Sequence, residues 1–464
     1  MSLHNSLYQP MSGTKLPPLW AHQAKTLELL KTSPLVFDTS DPGTGKTRAA
    51  LEAFLQRGKG KALVLAPKTL LESAWAADIK KWTPALNASV AYAHNREEAF
   101  AADADVYITN VDAVKWLAKQ SKKFFNGFET IVIDESTAYK HRTSARSKAA
   151  AKIIKGFAHR ELMTGTPNSN TVLDVWHQAF LLDGGERLGR SYYQFRSAVC
   201  EPVQVGPQPN HLKWQDKPGS ELVVAELLKD ISIRHEFADC MDIPPNHTYT
   251  ISFELSKTLM QKYKKLERES ILELEKADVT AVNAAALRGK LLQLASGAVY
   301  YSENKHEVLD TGRYELIADL IEARRHSIVF FNWRHQREQI SKELEKRGVI
   351  HEVIDGNVPQ RRRAQIVEAY QAGYYQSLLL HPQTGAHGLT LTRGTATIWA
   401  SPIYQPDFLK QGMHRIFRGG QTEKTETILI EAKGTVEKLV YERLSEKSGR
   451  MQSFLDLLKE RSTE

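Results

Sequence analysis

The chain has 464 residues, of which 42% are hydrophobic and 25% charged, and a formal net charge of +8. That length exceeds what one hydrophobic core ordinarily supports, so two domains are expected, and the balanced composition excludes a fibrous or disordered protein. No apolar run approaches the roughly 20 residues that cross a bilayer, residues 1–20 lack the apolar segment of a secretory signal, and Cys200 and Cys240 support neither a disulfide framework nor a zinc site. The expectation is a cytoplasmic protein, with no membrane partner, whose basic balance favours a polyanion.

Leu35-Val36-Phe37 opens a series of short apolar strands that continues with Leu63-Val64-Leu65, Val106-Tyr107-Ile108 and Ile131-Val132-Ile133. Helix-length segments separate them, the pattern of a parallel sheet flanked by helices. Phe37 runs into Asp38-Thr39-Ser40-Asp41-Pro42-Gly43-Thr44-Gly45-Lys46-Thr47, and a helical stretch follows. A strand, a small-residue loop and a helix N-terminus together surround nucleotide phosphates with backbone N–H groups. Lys46 then reaches the β and γ phosphates and Thr47 ligates magnesium. Ser40, Gly43, Thr44 and Gly45 complete that loop, with Ser40 standing where the usual pattern has its first glycine. The strand ending at Ile133 leads into Asp134-Glu135, where Asp134 is expected to hold the metal and Glu135 to deprotonate the attacking water.

Farther along, Gln204 to Ser220 is rich in Pro and Gly and reads as a surface loop, whereas Leu255 to Leu294 carries apolar residues at helical spacing. After Tyr314 the strand pattern returns, at residues 327–331, 352–354, 377–380, 397–399 and 427–430. The division expected is an ATP-binding lobe over 1–240, linking and protruding helices over 241–310, and a second lobe over 311–464. The runs Arg361-Arg362-Arg363 and Arg324-Arg325 could extend a basic track, although such runs usually form solvated faces.

With these residues in place, the remaining short motifs resemble the Swi/Snf branch of superfamily 2 helicases, most closely its compact bacteriophage-encoded members. Leu19-Trp20-Ala21-His22-Gln23 looks like the adenine-reading Q motif, which makes Gln23 the base contact. Ala66-Pro67-Lys68-Thr69-Leu70 and Ile108-Thr109-Asn110 resemble motifs Ia and Ib. Thr164-Gly165-Thr166-Pro167 is similar to motif III, and residues 411–421, from Gln411 through Arg415 and Arg418 to Gln421, are similar to motif VI. Trp75 and Trp82, Asp355-Gly356-Asn357 followed by Arg363, residues 293–300, and Thr435-Val436-Glu437 add to the likeness. The segment His381 to Leu389, with Thr384, departs from the eukaryotic motif V and looks like the phage version.

The resemblance implies an α/β fold of two RecA-like doubly wound parallel-sheet lobes with helical insertions, ATP and Mg2+ as cofactors, and DNA as partner. It assigns Arg418 first and Arg415 second as arginine finger, Thr164, Thr166 and Gln411 to coupling, and Lys68, Thr109 and Thr384 to the DNA backbone. The activity it implies is an ATP-dependent translocase or helicase acting on forked or branched DNA. An RNA helicase and the motor subunit of a restriction or defence complex are the alternatives.

Overall fold

In the computed structural model, which describes residues 16–204, 212–240, 243–276, 281–302, 305–385 and 389–462, the first half contributes β1 (Leu35–Asp38), β2 (Lys61–Ala66), β3 (Ala88–Ala91), β4 (Val106–Asn110), β5 (Phe128–Asp134) and β6 (His159–Met163). A hairpin of β7 (Cys200–Gln204) and β8 (Leu212–Asp216) follows, then β9 (Ser232–Ile233), β10 (Asn246–Phe253), and a second hairpin of β11 (Ala298–Ser302) and β12 (Lys305–Val308). The chain ends with β13 (Ser327–Phe330), β14 (His351–Ile354), β15 (Ser377–Leu380), β16 (Ala396–Trp399) and β17 (Thr425–Ala432).

Two sheets result, in the orders β3-β4-β2-β5-β6-β1-β9 and β10-β17-β16-β13-β15-β14, with every neighbouring pair parallel. Parallel neighbours require crossovers, and the helices that make them cover both faces. Alternation along each strand decides which face a side chain joins. Leu63, Leu65, Ile131 and Ile133 build one core of the first sheet, while Ala62, Val64, Ala66 and Val132 build the other. The second sheet divides likewise, Val329, Leu379 and Ile398 against Ile328, Leu378 and Leu380. Two doubly wound α/β lobes are therefore present.

The middle stretch differs from expectation. Residues 241–310 were expected to hold helices alone, yet β10 lies within them and extends the second sheet as an edge strand pairing β17 from Asn246↔Thr425 to Phe253↔Ala432. Its side chains are mostly polar or half exposed, as an edge permits, so no apolar run announces it. The helices Lys257–Lys276 and Ala281–Ala295 do follow, and Leu259, Tyr263, Leu291 and Leu294 pack with Ala432 into a small core against the second lobe. Part of the surface loop expected at 204–220 is the β7–β8 hairpin, and its residues 205–211 lie outside the described residues.

One helix ties the lobes together. Val436–Ser462 places Tyr441 and Leu444 in the second lobe's core, and Phe454 and Leu458 in the first's. Its start is fixed by Glu437, both of whose carboxylate oxygens accept from Arg313 Nη2 at 2.8 Å while Oε2 also accepts from Ala432 N at 2.7 Å. Both side chains are fully buried, so loss of either partner alone would leave an uncompensated charge at a cost of about 3–5 kcal/mol.

Candidate active site

The register of the first sheet brings the sequence motifs together. Asp38 and Asp134 both pair with Met163, so β1, β5 and β6 end level and the loops that follow them converge at one sheet edge. The phosphate loop bends through Gly43 and Gly45, at φ +88° and +78°, before the helix Lys46–Arg57 begins. A Cβ at Gly45 would stand 2.1 Å from the Gln23 amide nitrogen, so only glycine lets the Q-motif side chain sit against the loop. Gln23 spends its amide on the chain, accepting from Trp20 N at 3.0 Å and donating to Gly45 O at 3.3 Å. Lys46 Nζ donates to the carbonyls of Ser40 and Asp41 at 2.7 and 2.9 Å, which keeps it folded over its own loop.

Beyond β5, Glu135 adopts φ +57°, the only non-glycine residue with positive φ among the described residues. Such a backbone costs on the order of 1–3 kcal/mol and persists where surroundings fix it, here turning the carboxylate into the cleft. Burial, and then the adjacent Asp134, push the Glu135 carboxyl up to about 8, against the pull of Lys46. Burial also raises Asp134, opposed by a hydrogen bond from Trp75 Nε1 to its Oδ2 at 3.0 Å.

The second lobe closes the site. The helix Pro406–Met413 leads into Arg415, whose Nε donates to Gln411 O at 2.8 Å and whose Nη1 donates to Leu389 O at 3.1 Å. Arg418 donates to the same Leu389 carbonyl at 3.3 Å. Burial, and then the neighbouring Arg418, bring the Arg415 guanidinium down to about 9, partly offset by Glu135, and burial likewise lowers Arg418. A cavity of about 880 Å³ is lined by Gln23, Gly43, Gly45, Lys46, Thr47, Asp134 and Glu135 from one lobe and by Gln411, Arg415 and Arg418 from the other. Gln411 Oε1 is buried there without a hydrogen-bond partner. The lobes also touch directly at Asp41, whose carboxylate lies 2.8 Å from both Arg234 and Lys410 Nζ. Although burial pulls it upward, Lys410 and Arg234 hold Asp41 well below the usual carboxylate range. Asp407 of the second lobe faces Thr166 and Ser169.

Two residues of the expected phosphate loop turn their side chains away from the cavity. Ser40 is fully buried with its Oγ accepting from His235 N at 3.0 Å, and Thr44 donates to Asp41 O at 2.9 Å; neither lines the main cavity. The Ser40 hydroxyl thus ties the loop to the segment that follows β9. Thr164 accepts from Thr166 N at 3.1 Å and stays at the sheet edge. The proposed DNA contacts scatter: Lys68 is exposed and Thr384 nearly buried, whereas Thr109 is wholly buried with its hydroxyl donated to Ala91 O, so its side chain offers nothing to a ligand. Residues 386–388 of motif V lie outside the described residues. The basic runs are partly neutralised, Arg362 by Glu352 and Arg324 by Glu426. Sequence reasoning missed Asp41, Lys410 and Asp407, which carry no motif signal apart from their nearness to Lys46 and Gln411. Trp75 and Trp82, which add to the family likeness, take different places. Trp75 is core but bonds Asp134, and Trp82 lines the cavity under Arg48, 4.3 Å from ring centroid to guanidinium carbon.

Residues 21–296 match the SNF2-related domain family and residues 312–420 the helicase conserved C-terminal domain family. Protein p41 of Acyrthosiphon pisum secondary endosymbiont phage 1 is 30% identical over 441 residues, 90% of this chain and 93% of its own length. The SWI/SNF-related matrix-associated actin-dependent regulator of chromatin subfamily A-like protein 1 of Xenopus laevis is 25% identical over 88% of this chain but only 41% of its own. The human subfamily A member 1 is 25% identical over 86% and 40%. The chain therefore spans about two fifths of those longer relatives. The solved Sulfolobus solfataricus SWI2/SNF2 ATPase core in complex with dsDNA overlaps at 20% identity with a TM-score of 0.44, covering 94% of this chain and 92% of its own, too loosely to carry an inference. With a family match over more than half its length and its motifs assembled around one interlobe cavity, this chain belongs to the SNF2-related family of helicase-type ATPases.

Proposed function

We propose that the protein uses ATP with magnesium to move along duplex DNA and remodels or unwinds forked or branched DNA, in the cytoplasm of a bacterial host. The observation that carries this reading is the single cavity lined by Lys46, Asp134 and Glu135 from one lobe and by Arg415 and Arg418 from the other. In this reading the lobes divide near residue 240, with β10 assigned to the second. The cation-rich walls fit a triphosphate, and the Thr47 hydroxyl with the Asp134 carboxylate fit a magnesium ion, which when bound supplies positive charge to the β and γ phosphates.

Each residue then has a task. Lys46 exchanges its two loop carbonyls for phosphate oxygens. Glu135, once ionised, takes a proton from the attacking water, and Arg418 with Arg415 stabilises charge on the transferring group, a contribution of roughly 10³ to 10⁵ in rate. Gln411, with its free amide oxygen, and the Thr164–Thr166 turn facing Asp407 convert the cleft's state into lobe movement. Lys68 and Thr384 meet the DNA backbone, contacts that position without reading sequence. The phage relative that this chain matches almost end to end supports the bacterial-virus setting.

Turnover measured with duplex DNA, forked DNA, single strands and RNA tests the substrate, and unwinding of forks and Holliday junctions tests the reaction. Stimulation by duplex and forked DNA is expected; stimulation by RNA alone would replace the reading with an RNA helicase. Lys46→Ala and Glu135→Gln should fold normally and lose turnover by at least about 100-fold, the former through phosphate contacts and the latter through the base. Wild-type turnover in either would remove the assignment.

A further inference from the structure

A second array of charged and aromatic side chains lies outside the nucleotide cleft. Arg142, in the segment after Glu135, holds its guanidinium carbon 4.6 Å from the Tyr192 ring centroid and 4.8 Å from that of Tyr193. Arg196, on the helix Tyr192–Val199, lies 5.3 Å from Tyr193 and 3.9 Å from Trp214 of β8. Arg142, Tyr193, Arg196 and Trp214 so form a continuous alternation of guanidinium and ring, and Tyr193 is 58% exposed.

What these arginines lack decides the reading. Among the described residues neither the Arg142 nor the Arg196 guanidinium makes an ion pair or hydrogen bond, and Arg196 Nε is buried without a partner. Other arginines of the same lobe are paired, Arg146 with Asp112 and Arg187 with Asp230. A structural arginine on a protein surface gains from a carboxylate, whereas these two pack on aromatic rings with their donors unpaired, beside the exposed ring of Tyr193. Asp174 is engaged with Lys140, and Asp216 with Val172 N and Cys200 Sγ, while the exposed Lys213 adds charge. Lys447 of the bridging helix donates to Asn170, at the turn before the helix Leu173–Asp183.

We propose that Arg142, Tyr193, Arg196 and Trp214 form a stacking site for unpaired bases of a single DNA strand, the arginine donors taking flanking phosphates. Bases stack on aromatic rings and on guanidinium planes alike, and the free N–H groups suit phosphate oxygens. The inference rests on the DNA-motor reading and gives it a preference for duplex that ends in an unpaired tail.

The test uses the full chain without ATP and three fluorescent probes: a blunt duplex, the same duplex with a thymidine tail, and the same duplex with a tail of abasic sites. Wild type should bind the base-bearing tail about 5- to 100-fold more tightly than the abasic tail, the range of base–aromatic stacking. Tyr193→Ala, at an exposed position that leaves the fold intact, should erase that difference and leave blunt-duplex affinity and duplex-stimulated turnover unchanged; Arg142→Ala should weaken both tailed probes. Equal wild-type binding of both tails, or a Tyr193→Ala loss as large on the blunt duplex, would overturn the site. Absence of duplex-stimulated turnover in the wild type would instead sink the motor reading, because the tail comparison needs no hydrolysis.

Discussion

Replacing Trp75 by Phe removes one hydrogen bond while keeping an aromatic ring in the core, and the structure allows its size to be worked out. The indole N–H of the fully buried Trp75 donates to Asp134 Oδ2, at the half-buried end of β5, at 3.0 Å. A hydrogen bond to a charged group contributes about 1.5–3 kcal/mol, which corresponds to roughly a 10- to 100-fold change in an equilibrium constant. The bond favours the ionised carboxylate, so its loss should also raise Asp134 further. Two consequences separate. The smaller ring leaves a void and lowers unfolding stability by about 1–3 kcal/mol, seen in denaturant titration. Independently, if Asp134 holds magnesium, the concentration of Mg2+ giving half-maximal ATPase should rise about 10- to 100-fold, with saturating Mg2+ restoring most of the rate, as loss of an outer partner of a metal ligand does elsewhere. Lower stability with an unchanged Mg2+ midpoint would refute the reasoning and reduce Trp75 to packing.

The pH profile offers a second test. Glu135 is held protonated up to about 8 by burial and Asp134, and only its ionised form can act as base, so kcat/KM should rise with pH through that value and then level off. Because the unfolded carboxyl ionises near 4.5 and the folded one near 8, stability falls as pH climbs from about 4.5 to about 8 and levels off above, and Glu135→Gln should flatten both dependences. Lys410→Met should weaken closure of the nucleotide-free lobes by about 1–3 kcal/mol while sparing the phosphate loop, since Asp41 keeps Arg234 and Phe237 N. Single-molecule energy transfer between dyes on the two lobes reads this as a shift toward the separated state; an unchanged distribution would show that the ion pair follows closure without stabilising it.

Both lobes were legible because their central strands are buried on two faces and must be apolar throughout, as in Ile131-Val132-Ile133 and Leu378-Leu379-Leu380. Strands that escape that demand were not. β6 carries His159, Arg160 and Glu161, the last buried beside Arg57, and β10 sits on an edge where Thr248 and Tyr249 can face solvent. The Ser40–Thr47 loop and the acidic pair, which line one cavity, stood out in the sequence because each follows an apolar strand with a fixed order of residue types. Contacts made by one side chain across 190 residues or more of chain leave no such trace: nothing in the sequence ties Ser40 to His235 or Asp41 to Lys410. Thr109 was misplaced for a related reason, since a motif fixes a segment's path but not which of its side chains face outward. The bridging of both cores by Val436–Ser462 was equally hidden, as helical spacing does not say which partner each turn meets.

Most directly at stake is whether groups from both lobes act on one triphosphate. Rapid-quench, single-turnover hydrolysis by Arg418→Ala, alongside its equilibrium affinity for ATP, measures this. The structure predicts that hydrolysis falls by roughly 10³- to 10⁵-fold while the protein still binds ATP within about tenfold of wild type. Hydrolysis at the wild-type rate would contradict it, since a second lobe that contributes nothing to cleavage cannot be driven by it.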